Sequence, residues 1–261
     1  NLWTAAHMNS ASSHSIAQHP LPDGLIPGAV FALLIALSIL LLIGQYTDID
    51  LTLADLYFDS ARQNFPWDKT WFGRDLMHGW VKKAVLWFGF ALTALAALDL
   101  VLRFQWLDAL RRVQIRLLVL ASILEPMLVR KLKSSSALHC PWGVDRYGGD
   151  WPFLRLLDSV PPGWQAGHCA PAGHASVGMW LCALAVLWLP HSPRKALAAY
   201  LGGLGFGLLL GWVQQMRGQH FLSHTLWTAW IASALFVFLL AAFSRQLQTA
   251  AGNSKHTLEN T

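Results

Sequence analysis

The sequence predicts an all-α, polytopic membrane protein built as a bundle of six transmembrane helices. Three observations predict it. Of 261 residues, 54 % are hydrophobic and only 13 % are charged, a balance that belongs to membrane chains and not to soluble domains. Six apolar runs recur along the chain, each near the roughly 20 residues that an α-helix needs to cross a hydrocarbon core. Basic residues gather in the connections between runs, as membrane topology requires. The net charge of +5 is modest, and this placement argues against a nucleic-acid partner. Three cysteines do not make a disulfide scaffold.

Residues 1–24 are rich in Asn, Ser, His and Ala with little apolar periodicity, and are expected to be disordered. They lack the basic start of a signal peptide. Residues 25–243 form the membrane domain. The first span is Leu25–Gly44, with Pro27 tolerable in its first turn. Residues 47–80 are polar but punctuated by Leu51, Leu53, Leu56, Tyr57 and Phe58, which suggests a short interfacial helix. Trp67, Trp71 and Trp80 suit the headgroup layer. The second span is Ala84–Leu102, and the third, Val113–Val129, is interrupted at Glu125-Pro126. A loop over 130–170 is long enough for function to be expected of it. The fourth span is Ala175–Leu189 and the fifth Ala196–Val213. In the fifth, Gly203, Gly207 and Gly211 recur every fourth residue, a face for close helix packing. The sixth is Leu226–Phe243, and the polar tail 244–261 is expected to be loose.

Arg103, Arg111, Arg112, Arg194, Lys195 and Arg245 share one side, which should be cytoplasmic. The 130–170 loop then carries Arg130, Lys131, Lys133, Arg146 and Arg155 outside, against the rule. A bound anion would explain that violation; attraction to lipid headgroups is the plain alternative. On the same face lies Gln214–Thr228, which places Arg217, His220 and His224 between two apolar runs. Ionisable groups at a membrane-helix end usually face water or a function. His220 and His224 share one helix face, although polar residues that merely snorkel would look the same.

Three clusters fall on this outer face: Lys133 with Cys140-Pro141 after six residues, Pro171-Ala-Gly-His174-Ala-Ser176, and Arg217-Gly-Gln-His220-Phe-Leu-Ser-His224. They supply cations for a phosphate, amides at a helix start and well-separated imidazoles. In order and spacing they resemble the three motifs of the type 2 phosphatidic acid phosphatase superfamily, the membrane-bound lipid phosphate phosphatases, in a divergent bacterial branch. The resemblance covers residues 28–243. Cys140 stands where that family has Arg, Ala172 where it has Ser, and His224 where it has Asp. Gln214 occupies the usual Arg position of the third motif, and Arg217 lies three residues before His220. A register making His224 the family histidine is the shorter match.

The resemblance implies an integral membrane lipid phosphatase acting on a phosphate monoester or diphosphate. Undecaprenyl diphosphate, a phosphatidate-type lipid and lipid A are candidate substrates. It implies a bacterial inner (cytoplasmic) membrane with the site facing the periplasm, and neither cofactor nor metal. Carried over residue by residue, Lys133 and Arg217 hold phosphate oxygens with the Gly173 amide. His220 attacks phosphorus to give a phosphohistidine, and His174 protonates the leaving oxygen and then activates water. His224 replaces the orienting Asp as a neutral acceptor, which should sharpen the loss of activity on the acid side. Arg146, in a Gly-containing turn, is a candidate to compensate for the missing Arg; the alternative is a local pair with Asp145 or Asp150.

Cys140 and Cys169 flank the first two motifs, and a disulfide there would pin their loops; two free thiols are the other reading. The outer histidines His139, His168, His174, His220 and His224 could suggest zinc or copper, but their spacing fits no standard signature. Glu125 is expected to pair with Arg116 or Lys133 or to line the site from below. A phosphotransferase using the same site, a non-catalytic lipid-phosphate carrier and a haem-binding bundle are the competing functions. Axial histidines should face one another mid-membrane, which disfavours the last.

Overall fold

The computed structural model describes residues 21–22 and 24–259, with side chains as far as Gly252. The segment expected to be disordered, 1–24, therefore lies outside the described residues except for Leu21, Pro22 and Gly24. Among the described residues the chain is helical, without a strand.

The main helices among the described residues are α1 Leu25–Tyr46, α2 Ile49–Asp55, α3 Trp71–Leu102, α4 Ala109–Ser134, α5 Gly173–Trp188, α6 Pro193–Met216, α7 Leu222–Ala242 and α8 Ser244–Glu259. Four of them, α1, α3, α6 and α7, are long and apolar enough to cross a membrane. α4 has the length, at 26 residues, but Arg111, Arg112, Arg116, Glu125, Arg130, Lys131 and Lys133 interrupt its apolar surface. α5 has the composition but only 16 residues. Its first seven are α-helical and its last nine are wound as 3₁₀. The tighter coil rises about 2.0 Å per residue against 1.5 Å for the α form, so α5 extends roughly 28 Å despite its short sequence.

Three elements differ from the sequence expectation. α3 begins at Trp71, well before Ala84, because residues 71–81 wind as a π-helix that runs into the α-helix from Lys82. Thr70 starts it by accepting the Gly73 amide on its hydroxyl, 3.1 Å. Pro126 does not interrupt the third span: α4 passes through it, and one buried face, Ala121, Glu125 and Val129, holds a helix that lacks one amide. The tail is helical as far as Glu259. Leu247, Ala250 and Ala251 form a small buried stripe on α8, which joins Leu110 and Leu118 of α4 in the main core.

The core sits between α4, α5, α6 and α7. α6 comes close to its neighbours because its glycine face has no side chains. A Cβ on Gly203 would strike the Leu181–Cys182 backbone, one on Gly207 would strike Met179, and one on Gly211 would strike Thr225. Phe31, Leu34, Leu42, Val101 and Leu102 of α1 and α3 are exposed, as surfaces solvated by lipid should be. Glu125 is buried in α4 with neither oxygen hydrogen-bonded. It pairs with neither Arg116 nor Lys133.

The ends of α1, α4 and α6 and the starts of α3, α5 and α7 meet at one end of the bundle. A Cβ on Gly44 would lie 4.0 Å from Ser223, one on Gly73 3.1 Å from Arg217 Cδ, and one on Gly173 3.8 Å from Lys133 Nζ. The Trp142 amide donates to Gly218 O at 3.1 Å and the Ala172 amide to His224 O at 3.0 Å. At the other end Arg112 pairs with the buried Asp99 at 3.0 Å and Gln114 donates to the carbonyls of Val186 and Leu189.

Candidate active site

Most of the sequence-derived residues converge on the first of these ends. Lys133 occupies the last turn of α4 and lies against Gly173, the first residue of α5. His174 follows Gly173 and is buried, and neither of its ring nitrogens has a hydrogen-bond partner of normal geometry. Arg217 caps the C-terminus of α6, His220 lies in the turn to α7, and His224 lies in the first turn of α7. All three are buried. Backbone joins the two histidine-bearing helices: besides the Ala172 amide on His224 O, Thr228 Oγ1 lies within hydrogen-bond distance of the Ala172 and His224 carbonyls.

The turn between α6 and α7 is shaped by Gly218. Its φ of +67° is left-handed, a conformation in which a Cβ meets the backbone, and the Phe65 ring fills the space where that Cβ would stand. Phe65 belongs to an aromatic cluster with Phe58, Tyr147 and Phe221. Phe221, adjacent to His220, is 1 % exposed, so the turn is anchored from below by packing.

His220 sits against a disulfide. Cys140 and Cys169 are bonded, with Cα atoms 5.3 Å apart, and His220 Nδ1 lies 3.4 Å from Cys169 Sγ. The Cys169 backbone also contacts the ring. Burial pushes His220 well below the ordinary imidazole range, helped by the nearby His224, Lys133 and His174. The ring is therefore neutral near pH 7. The two sulfurs and His220 lie within 4.8 Å of one another, but sulfurs bonded to each other cannot serve as thiolate ligands.

His224 does not orient His220. The rings stand edge to face 5.9 Å apart, no hydrogen bond joins them, and His224 Nδ1 is buried without a partner. Cys169 takes the place beside His220 Nδ1. A backbone carbonyl is strictly an acceptor, whereas a second imidazole has to adopt the right tautomer.

Arg217 reaches the site by a route the motif spacing obscured. Gln214, at the position where the resemblance expects Arg, accepts from Arg217 Nη1 on Oε1 at 3.1 Å. Arg217 Nη2 also pairs with Asp68 Oδ1 at 2.9 Å, and Gln219 Nε2 donates to the same oxygen at 3.2 Å. Asp68 comes from a 3₁₀ turn, Pro66–Lys69, just before α3.

Arg146 is corrected. Its guanidinium forms a two-pronged pair with Asp55 at 2.9 and 2.7 Å, and Tyr147 donates its hydroxyl to the same carboxylate at 2.9 Å. These bonds hold Asp55 below the usual carboxylate range, and burial beside that carboxylate pushes the Tyr147 phenol up. Arg146 fastens the long loop to α2 and is not available to a phosphate. Arg155 does similar work by pairing with Asp48, as do Asp158 and Gln45. His139 packs between Trp151 and Trp164, with Nε2 on Gln165 O, so it belongs to the loop's own core.

Two residues at the site had no motif to mark them. His78, on the π-helical start of α3, stacks on His174 with ring centroids 4.5 Å apart; π-helical turns recur at functional sites. Asp50 of α2 is buried and accepts both the amide and the hydroxyl of Ser223. Burial pushes its carboxyl up, and the bonds from Ser223 oppose this. It thereby fixes the start of α7, where anionic groups are favoured.

No curated protein and no solved structure gives a significant match. A family profile does: that of the PAP2 superfamily matches residues 114–248. The matched stretch runs from α4 through α7, contains Lys133, His174, Arg217, His220 and His224, and exceeds half of the 261 residues; the chain belongs to the PAP2 superfamily.

Proposed function

We propose that this protein is an integral membrane lipid phosphatase that removes phosphate from a monoester or diphosphate headgroup through a phosphohistidine intermediate, without a metal. Membership of the PAP2 superfamily supports phosphatase chemistry on phosphate esters. The observation that carries the reading is the gathering of His220, His174, Lys133 and Arg217 at one end of the bundle, from four different elements. The Lys133 and Arg217 cations neutralise the phosphoryl oxygens, as phosphoryl transfer demands. His220, neutral through burial, attacks phosphorus and forms the P–N bond while the P–O bond to the lipid breaks. His174 gives its proton to the departing oxygen. It then takes one from the water that cleaves the P–N bond, releasing inorganic phosphate. In this reading the Gly173 amide assists Lys133.

The bundle is read as six crossings. The two added to the four long apolar helices are α4, whose charges lie near its ends apart from the buried Glu125, and α5, lengthened by its 3₁₀ coil. In this reading the basic connections are inner and the site is on the outer face, which in a bacterial inner membrane is the periplasmic one. Headgroups of the outer leaflet are the substrates within reach, with isoprenoid phosphates and phospholipids both candidates.

The test is phosphate release from a panel of lipid phosphates in detergent with EDTA present. Release that is lost in His220→Gln and His174→Gln supports the reading. Binding without release, release only when an acceptor lipid is added, or dependence on an added metal would overturn it.

A further inference from the structure

We propose that the turn Arg155–Asp158 dips Leu156 and Leu157 into the bilayer beside the end of α1, so that the loop between Cys140 and Cys169 rests on lipid at its middle. The partner is the headgroup and acyl-chain boundary of the adjoining leaflet, not a second protein. This holds whatever reaction the site performs, provided that α1 crosses the bilayer.

Contacts fix the height of the turn. The 22 residues of α1 make about 33 Å of helix, against a hydrocarbon core of about 30 Å. The last turn of α1 therefore stands at the membrane boundary, with Leu42 and Tyr46 exposed on it. Gln45 in that turn holds the loop twice: its Nε2 donates to Asp158 Oδ1 at 2.8 Å, and its Oε1 accepts the Leu157 amide at 3.0 Å. Arg155 adds an ion pair with Asp48, just past the helix. The turn is also closed upon itself. The Arg155 amide donates to Asp158 Oδ2 at 2.8 Å, and the Asp158 amide to Arg155 O at 3.2 Å.

What the turn presents is apolar. Leu156 is 45 % and Leu157 65 % exposed, and Val160, two residues past the turn, is exposed too. The charges beside them are engaged, Arg155 with Asp48 and Asp158 with Gln45 and its own turn. Asp158 is the only charged residue over 156–167, whereas 145–155 carries Asp145, Arg146, Asp150 and Arg155. Adjacent leucines held outward at this height are stabilised by leaving water, and apolar side chains at an interface lie about 5–10 Å into the headgroup and acyl boundary. Continuity decides for lipid over a protein partner. Ile35, Ile39, Leu42 and Tyr46 recur every three or four residues, so they form one exposed face of α1 that leads up to the turn. Arg146 and Arg155, paired with Asp55 and Asp48, leave the membrane contact here to the leucines.

The experiment is nitroxide labelling of Leu156→Cys and Leu157→Cys in a Cys182→Ala background, with one protein per lipid nanodisc and no reductant, so that the Cys140–Cys169 bond stays closed. Collision rates are read with oxygen, which concentrates in lipid, and with a nickel chelate, which stays in water. Leu34→Cys marks the lipid-facing limit and Ser60→Cys the water-facing one, both positions being exposed. The expected result is an excess of oxygen over nickel collisions at Leu156 and Leu157, shifted from the Ser60 value toward that of Leu34. An excess of nickel collisions at both leucines, or low collision rates with both reagents (the mark of a covering protein surface), overturns the lipid contact. Either result leaves the phosphatase reading to its own test of phosphate release. An excess of nickel collisions at Leu34 overturns the crossing of α1 and the lipid contact together.

Discussion

Gly218→Ala is the sharpest test of how the site is held. The residue sits at φ +67° with the Phe65 ring where a Cβ would go. A left-handed backbone costs an L-residue about 1–2 kcal/mol, and forcing a methyl into a packed ring costs about 1–3 kcal/mol. The expected destabilisation is therefore about 2–5 kcal/mol. At the usual scaling this is a fall in melting temperature of roughly 5–15 °C. Activity should fall further than stability, because Gly218 lies between Arg217 and His220 and its carbonyl receives the Trp142 amide. Displacing these groups by about 1 Å is enough for roughly a hundredfold loss in kcat/KM. The control is Gly205→Ala on α6, where nothing lies within 4 Å of the new methyl and where a helix favours Ala over Gly. Thermal unfolding in detergent, followed beside phosphate release at a temperature below both transitions, separates the two effects. Equal melting temperatures and equal kcat/KM for the two variants would refute the strained turn and its packing on Phe65.

Reduction of the Cys140–Cys169 bond opens a loop of 29 residues, which the chain-entropy relation values at about 3.5 kcal/mol. Reductant should lower the melting temperature and slow turnover through His220, and finding both cysteines freely alkylated without reductant would sink the assignment. Because burial lowers the proton affinity of His220 from its ordinary 6.5, the proposed nucleophile stays neutral as pH falls through 6.5. The acid limb of kcat/KM should therefore inflect below 6.5, and an inflection at or above it contradicts the buried nucleophile. The same shift makes folding pH-dependent: the contribution of His220 is complete above 6.5 and is lost as pH falls, by up to about 1.4 kcal/mol per unit until the folded value is reached. Arg146→Ala removes an exposed pair with Asp55 and should cost at most about 1 kcal/mol with kcat/KM within about threefold; a hundredfold loss would restore Arg146 to the phosphate site.

The site was legible wherever chemistry requires a particular residue next to a span. Lys133, His174, Arg217 and His220 stand out because ionisable groups beside apolar runs are rare, and the glycine face of α6 because its period matches helix packing. What was hidden depended on winding or on distant partners. The π-helical start of α3 brings His78 to His174, yet a segment bearing Arg74, Asp75, His78 and Trp80 reads as interfacial loop. Nothing local distinguishes Asp68 or Asp50 from ordinary loop carboxylates; their partners are 149 and 173 residues away. Arg146 was misplaced for the same reason, since its partner Asp55 lies 91 residues earlier. The tail was misread because a stripe as small as Leu247, Ala250 and Ala251 becomes apolar surface only when α4 lies beside it.

Two departures from the family pattern are joined in this fold. Where the first motif would carry Arg, Cys140 is bonded to Cys169, and Cys169 lies against His220 Nδ1. Where the third motif would carry Asp, His224 stands 5.9 Å from the same ring without a hydrogen bond to it. A carboxylate at that position would both orient His220 and hold its positive charge as the P–N bond forms. In this chain the disulfide-bonded Cys169 lies beside His220 Nδ1, and among the described residues no carboxylate is hydrogen-bonded to that ring. The disulfide thus holds Cys169 against the imidazole that the proposed mechanism uses as its nucleophile.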